Sequence, residues 1–175
     1  KDTRSTMEEM IKTLEILRFK YRYGGYIHLK ILPNTEENLI EKGALLADRI
    51  SINLEAPNPV RLEKIAKEKN FALDLIKPME LMQKQIQKGN AKSGITTQFV
   101  VGASNESDTE IIKTTNWLYK NRSLKRAYFS AFVPINGTKL ITENTGSQIA
   151  SAPTPLIREN RLYQLHLEAE VARRT

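Results

Sequence analysis

Cysteine is absent from the 175 residues. Its absence excludes disulfides, thiolate metal ligands, a cysteine nucleophile and any iron–sulfur cluster held by this chain's own side chains. Histidine is scarce, with only His28 and His166, and two imidazoles without thiolates offer no zinc spacing. No apolar run approaches the roughly 18 residues that span a bilayer, and no signal peptide opens the chain. The expectation is a cytoplasmic protein with no membrane partner. No G-x-G-x-x-G follows an apolar run, so a dinucleotide-binding first unit is excluded, and no G-x-S-x-G supplies a nucleophile elbow. An initiating Met is also missing, because the chain opens Lys1-Asp2-Thr3; that suggests a fragment or a processed product.

What is present is the composition of a globular domain, 40 % hydrophobic and 27 % charged, in a length that buries a substantial core. The formal charge of +7 permits an anionic partner. The basic residues fall in small groups: Arg18, Lys20 and Arg22; Lys64, Lys67 and Lys69; Arg122, Lys125 and Arg126; Arg173 and Arg174. Several sit near expected helix C-termini, where the dipole favours cations. Solvated helix faces account for most of them more simply than a dedicated nucleic-acid surface does.

Hydrophobic periodicity divides the chain into alternating elements. Thr6 can cap a helix whose inner face is Met7, Met10, Ile11, Leu14 and Leu17, ended by Gly24-Gly25. Tyr26–Leu32 alternates as a strand, with Tyr26, His28 and Lys30 on its polar side. Thr35 can cap a helix running to about Ala47. Pro57 and Pro59 lead into a helix from Val60 to about Lys69, and another spans roughly Pro78–Lys88, with Met79 and Met82 as core filler. Thr96–Gly102 is the third strand, Ser107 and Glu110 form a capping box for the next helix, and Ala127–Phe132 is the fourth strand. Pro134–Pro155 is the longest irregular stretch. A closing helix begins near Leu156, with Leu162, Leu165 and Val171 inside and His166 at the surface.

Single strands alternating with helices predict an α/β fold with a parallel sheet and right-handed crossovers. Four strands do not close a barrel, since about eight are usual. The expected architecture is therefore a partial (β/α) barrel, residues 1–175 forming one domain.

The centre of the pattern is Asp48-Arg49-Ile50-Ser51-Ile52-Asn53-Leu54-Glu55-Ala56-Pro57. Ile50, Ile52 and Leu54 alternate with Ser51, Asn53 and Glu55, so helices should cover the apolar side and the polar side should face a cleft or barrel interior. A carboxylate there needs a partner, because an unpaired buried charge is costly. Glu55 as a satisfied structural carboxylate at a strand end stands beside the functional reading.

Five blocks in register carry a resemblance: Gly25–Lys30, Ala47–Pro57, Thr96–Ala103, Tyr128–Pro134 and Arg158–Gln164. Together they resemble the radical S-adenosylmethionine (radical SAM) proteins assigned to DNA modification or repair, over about residues 6 to 164. More distantly, Asn53-Leu54-Glu55, Phe99–Gly102 and the Pro134–Leu140 turn are similar to biotin synthase. The resemblance implies a TIM-type barrel and S-adenosylmethionine as cofactor. By it, Glu55 would accept the ribose hydroxyls with Asn53 beside it, and Val100 and Gly102 would let backbone approach the adenine and methionine parts. Phe132 to Pro134 would pass near the adenine. Such proteins carry a Cys-x3-Cys-x2-Cys loop holding a 4Fe–4S cluster, and these residues hold none. The resemblance therefore implies the C-terminal portion of a parent enzyme that cleaves S-adenosylmethionine reductively to a deoxyadenosyl radical, this portion alone being inactive. It also implies DNA or a nucleotide as substrate and, from gene neighbourhood in the family, a uracil-DNA glycosylase homologue as partner.

His28, Lys30 and Ser51 are candidates to face the substrate from the barrel interior, against simple pairing with carboxylates. Two other readings compete: a non-catalytic basic nucleic-acid-binding α/β module, and a barrel enzyme using Glu55 as acid/base with His28 and Lys30 as partners.

Overall fold

The computed structural model describes residues 2–133 and 155–174. It is an α/β fold on one four-stranded, all-parallel sheet in the order β1-β2-β3-β4, with β1 His28–Lys30, β2 Arg49–Ser51, β3 Ile95–Val101 and β4 Leu124–Ala131. The helices are α1 Thr3–Glu15, α2 Glu37–Leu46, α3 Pro59–Glu63, α4 Lys77–Gln87, α5 Asp108–Asn121 and α6 Pro155–Arg174. Successive strands lie side by side, so each crossover moves the chain one strand along the sheet.

One core cluster joins the helices to the sheet. Leu29, Ile50, Ile95, Phe99 and Phe129 of the strands join Met7 and Ile11 of α1, Ile40 and Ala44 of α2, Met79 and Met82 of α4, Ile111 and Leu118 of α5, and Leu165 and Ala169 of α6. The two methionines are fully buried core filler, as expected. Gly43 lets α2 approach β1 closely, because a Cβ there would meet the Leu29 side chain at 2.5 Å. The opposite face carries the other strand parity: His28, Lys30, Arg49, Ser51, Thr96, Gln98, Val100, Arg126, Tyr128 and Ser130.

Several element boundaries differ from the sequence reading. Asp2, not Thr6, caps α1, accepting from the Ser5 amide at 2.7 Å, while Thr6 Oγ1 donates back to the Asp2 carbonyl. The helix ends in a π-helical turn, Ile16–Lys20, before the Gly24-Gly25 pair. Arg18 then binds the carbonyls of Leu46, Tyr23 and Gly25 and the Asp48 carboxylate, so it is a structural clamp rather than a solvated cation. Thr35 is buried and donates to the Leu32 carbonyl, leaving Glu36 at the start of α2.

Asn58 caps α3, which stops at Glu63 rather than near Lys69. A π-helical segment, Phe71–Ile76, then feeds α4. The Ser107–Glu110 capping box is present in full. In α6 Leu165 is buried and Leu162 packs on the core, but Val171 is 63 % exposed and Ala169 occupies the inner position instead. The spacing Leu162, Leu165, Ala169 is the three- and four-residue stripe of one helix face, and Val171 falls off it. Most of the irregular stretch after Val133, residues 134–154 and so Pro134, lies outside the described residues.

Candidate functional site at the carboxyl edge of the sheet

In parallel sheets ligands gather outside the carboxyl ends of the strands. At that edge β2 does not end cleanly. Its ladder with β3 stops at Ser51 opposite Thr96, and pairing resumes at Glu55 opposite Phe99. Four residues on one strand thus match three on the other, which is a bulge. The gap is filled by Thr97, whose Oγ1 accepts from the Leu54 amide at 3.2 Å and donates to the Ile52 carbonyl at 2.7 Å. The strict alternation read for Asp48–Glu55 therefore breaks after Ile52. Asn53 and Glu55 do not share a face through simple pleating; both are half-buried at the edge.

Glu55 has φ +65°, a left-handed conformation that L residues pay to adopt. Its backbone is pinned on both sides, its amide donating to Gln98 O at 3.0 Å and its carbonyl accepting from the Val100 amide at 2.8 Å. One strand over, Gly102 follows β3 with φ +92°, where glycine alone is comfortable. Among the described residues a Cβ at Gly102 would meet nothing nearer than Arg161 Nη1 at 3.9 Å, so these leave the space above that backbone open. Half-buried Phe132 continues β4 at the same edge, its amide on the Val101 carbonyl at 2.8 Å. Glu55, Gly102 and Phe132 thus stand at the ends of three neighbouring strands.

Two side-chain networks hold this edge, and neither was singled out from sequence. Glu106, 4 % exposed, accepts from the amides of Gly102 and Ser104 and from Ser104 Oγ. Arg161 of α6 lies 3.7 Å from the Glu106 carboxylate, donates to its main-chain carbonyl at 2.9 Å and pairs with Asp108 at 2.6 Å. A buried carboxylate after a glycine, in a polar loop, was the available signal. The second network joins Arg61 to Glu110 through two 3.0 Å bonds and to the Ser104 carbonyl at 3.0 Å. Asn58 and Ser107 donate to the same carboxylate. These bonds hold the Glu110 carboxyl down at about 2, the Arg61 guanidinium being the largest cause.

The amides of Val100 and Gly102 are both consumed, by Glu55 and Glu106. A ligand at this edge would meet open Cα surface and carbonyls there, not N–H donors.

His28, Lys30 and Ser51 do share one face, as expected, Lys30 and Ser51 closing β1 and β2 short of the level of Glu55. Lys30 lies level with Ser51 and Thr96, whereas Glu55 lies level with Phe99. Three residues of strand rise set them roughly 10 Å apart along the strands, and among the described residues no hydrogen bond or ion pair joins Glu55 to His28 or Lys30. Partial burial, then the charge of Arg49, lowers the His28 pKa. His166 is exposed, but its ring packs on Phe129 at 5.0 Å between centroids. Trp117 belongs to α5 and is covered by Arg122 at 4.6 Å. It borders a shallow cavity of about 260 Å³ behind Pro57, on the helix side.

Among the described residues no group of His, Asp or Glu is arranged to hold a metal ion, and no helix is long and apolar enough to cross a membrane. Comparisons with protein-family models, with curated proteins and with solved structures find no match.

Proposed function

We propose that this chain supplies the S-adenosylmethionine-binding wall of a radical SAM (β/α) barrel, as the resemblance of its five sequence blocks implies. The observation that carries the reading is a positive-φ residue just past the end of each of two adjacent parallel strands, Glu55 after β2 and Gly102 after β3. Non-glycine residues persist in that conformation only where the surroundings over-determine them, and such sites cluster around bound ligands.

The residues present fit the nucleoside part of S-adenosylmethionine. Glu55 is a half-exposed carboxylate able to accept two charge-assisted bonds from a vicinal diol. Asn53 stands two residues away, and the open backbone at Gly102 gives an aromatic or thioether group room for close approach. The Glu106–Arg161 and Arg61–Glu110 networks fix the loops that carry these groups before any ligand arrives. The residues do not fit a 4Fe–4S cluster, since thiolates are lacking. On this reading the cysteine loop belongs to another segment of the parent protein. Acid/base use of Glu55 with His28 and Lys30 has less behind it, because no hydrogen bond or ion pair among the described residues joins them.

The test is reconstitution of the full-length parent with iron and sulfide. Formation of 5′-deoxyadenosine from S-adenosylmethionine supports the reading, and a parent without a three-cysteine loop removes it.

A further inference from the structure

The face of the sheet opposite the helices carries three cations, Lys30, Arg49 and Arg126, with no ion pair among the described residues. Lys30, Ser51, Thr96 and Arg126 form one row across all four strands, by the observed register. His28 and Arg49 pair directly beside it. At about 4.8 Å between strands, the Cα atoms of Lys30 and Arg126 stand roughly 14 Å apart, within the joint reach of the two side chains on one phosphate or diphosphate. The short Ser51 and Thr96 between them keep the middle of the row low. No strand position on this face holds a carboxylate, and among the described residues none pairs with Lys30, Arg49 or Arg126.

Arg49 gives the independent observation. Its Nε is buried without a hydrogen-bond partner, and its one hydrogen bond among the described residues is Nη2 to the Ser93 carbonyl at 3.5 Å. An unmet buried donor on a charged group is costly, and an anionic oxygen would satisfy it. Two tyrosine rings flank the row under cations, Tyr26 beneath Arg49 at 5.8 Å and Tyr128 beneath Arg126 at 5.6 Å. Stacking restrains a guanidinium in a plane suited to a phosphate fork.

We infer that this face is a phosphate-binding site, with Lys30, Arg49 and Arg126 as its cations. It takes a phosphate-bearing ligand, either a small diphosphate or the backbone of a single-stranded nucleic acid. The inference shares only that face of the sheet with the function proposed above; S-adenosylmethionine carries no phosphate, so either idea can fail without the other.

The experiment uses the 175-residue chain at low salt, titrated with inorganic pyrophosphate by calorimetry and with fluorescein-labelled oligothymidylate by anisotropy. The double variant Lys30→Glu/Arg126→Glu is compared with Lys84→Glu/Lys120→Glu, which makes the same charge change at exposed helix positions. The expected result is a loss of about tenfold or more in the first variant, the scale of one or two charged hydrogen bonds. The second should change by no more than about twofold. Arg49→Gln should weaken binding in the same direction, and this holds the question open to test if the double variant fails to fold. Pyrophosphate binding alone assigns a small ligand; tighter oligonucleotide binding with a steep salt dependence assigns a nucleic-acid backbone. Absence of binding in both titrations, or equal losses in both double variants, overturns the inference.

Discussion

Arg61 grips Glu110 in a two-pronged pair, Nε to Oε1 and Nη2 to Oε2, each at 3.0 Å. A third donor of the same guanidinium holds the Ser104 carbonyl. One arginine on a five-residue helix therefore ties the loop after β2 to the loop after β3, the two loops that carry Glu55 and Gly102.

This pair makes stability depend on pH in a defined sense. The Glu110 carboxyl is held at about 2 in the fold, below its value in the unfolded chain. Its contribution is complete above the ordinary carboxylate range and fades as the pH falls toward about 2. Glu110→Gln should be less stable than the unaltered chain near neutrality, the gap closing in acid. Urea titrations across that range check it; a gap that persists at low pH would contradict it.

Thr97 replaces two missing ladder bonds at the bulge. Thr97→Val keeps the shape but strands the Leu54 amide and the Ile52 carbonyl. The expected loss is about 1–3 kcal/mol in chemical denaturation, the cost of an unsatisfied buried group. Thr97→Ser should recover most of it.

Glu106 fixes the loop after β3 by holding the Gly102 and Ser104 amides. Glu106→Ala should speed hydrogen exchange at those two amides while leaving Phe99, inside the β3–β4 ladder, protected. Arg161→Ala should act in the same direction and more weakly. Unaltered exchange at Gly102 would show that the loop is held by other means.

Glu55 is expected to trade stability for binding. Glu55→Gly relieves the left-handed strain and should stabilise the chain by about 0.5–1 kcal/mol, even though glycine costs extra entropy. It removes the carboxylate proposed to hold the ribose. A destabilised glycine variant would show that the side chain is structural.

Much of this architecture was legible beforehand. The alternation of apolar stripes at periods of two and near four gave the parallel order, and Ser107–Glu110 announced its own helix start. What misled was local. Thr6 and Thr35 are good caps by type, but Asp2 lies one turn earlier and Thr35 finds a nearer carbonyl. Alternation through Ile52 and Leu54 implied an unbroken strand; the extra residue that makes the bulge leaves the apolar pattern intact, because Ile52 and Leu54 are both fully buried. Long-range partners were invisible in principle. Arg61 and Glu110, or Arg161 and Glu106, are separated by 49 and 55 residues, and no spacing rule joins them.

The most direct measurement is calorimetric titration of S-adenosylmethionine into the full-length parent and its Glu55→Ala variant. The account predicts affinity lower by about 1.5–3 kcal/mol in the variant, the worth of hydrogen bonds to a charged group. Equal affinity in the two proteins would contradict it.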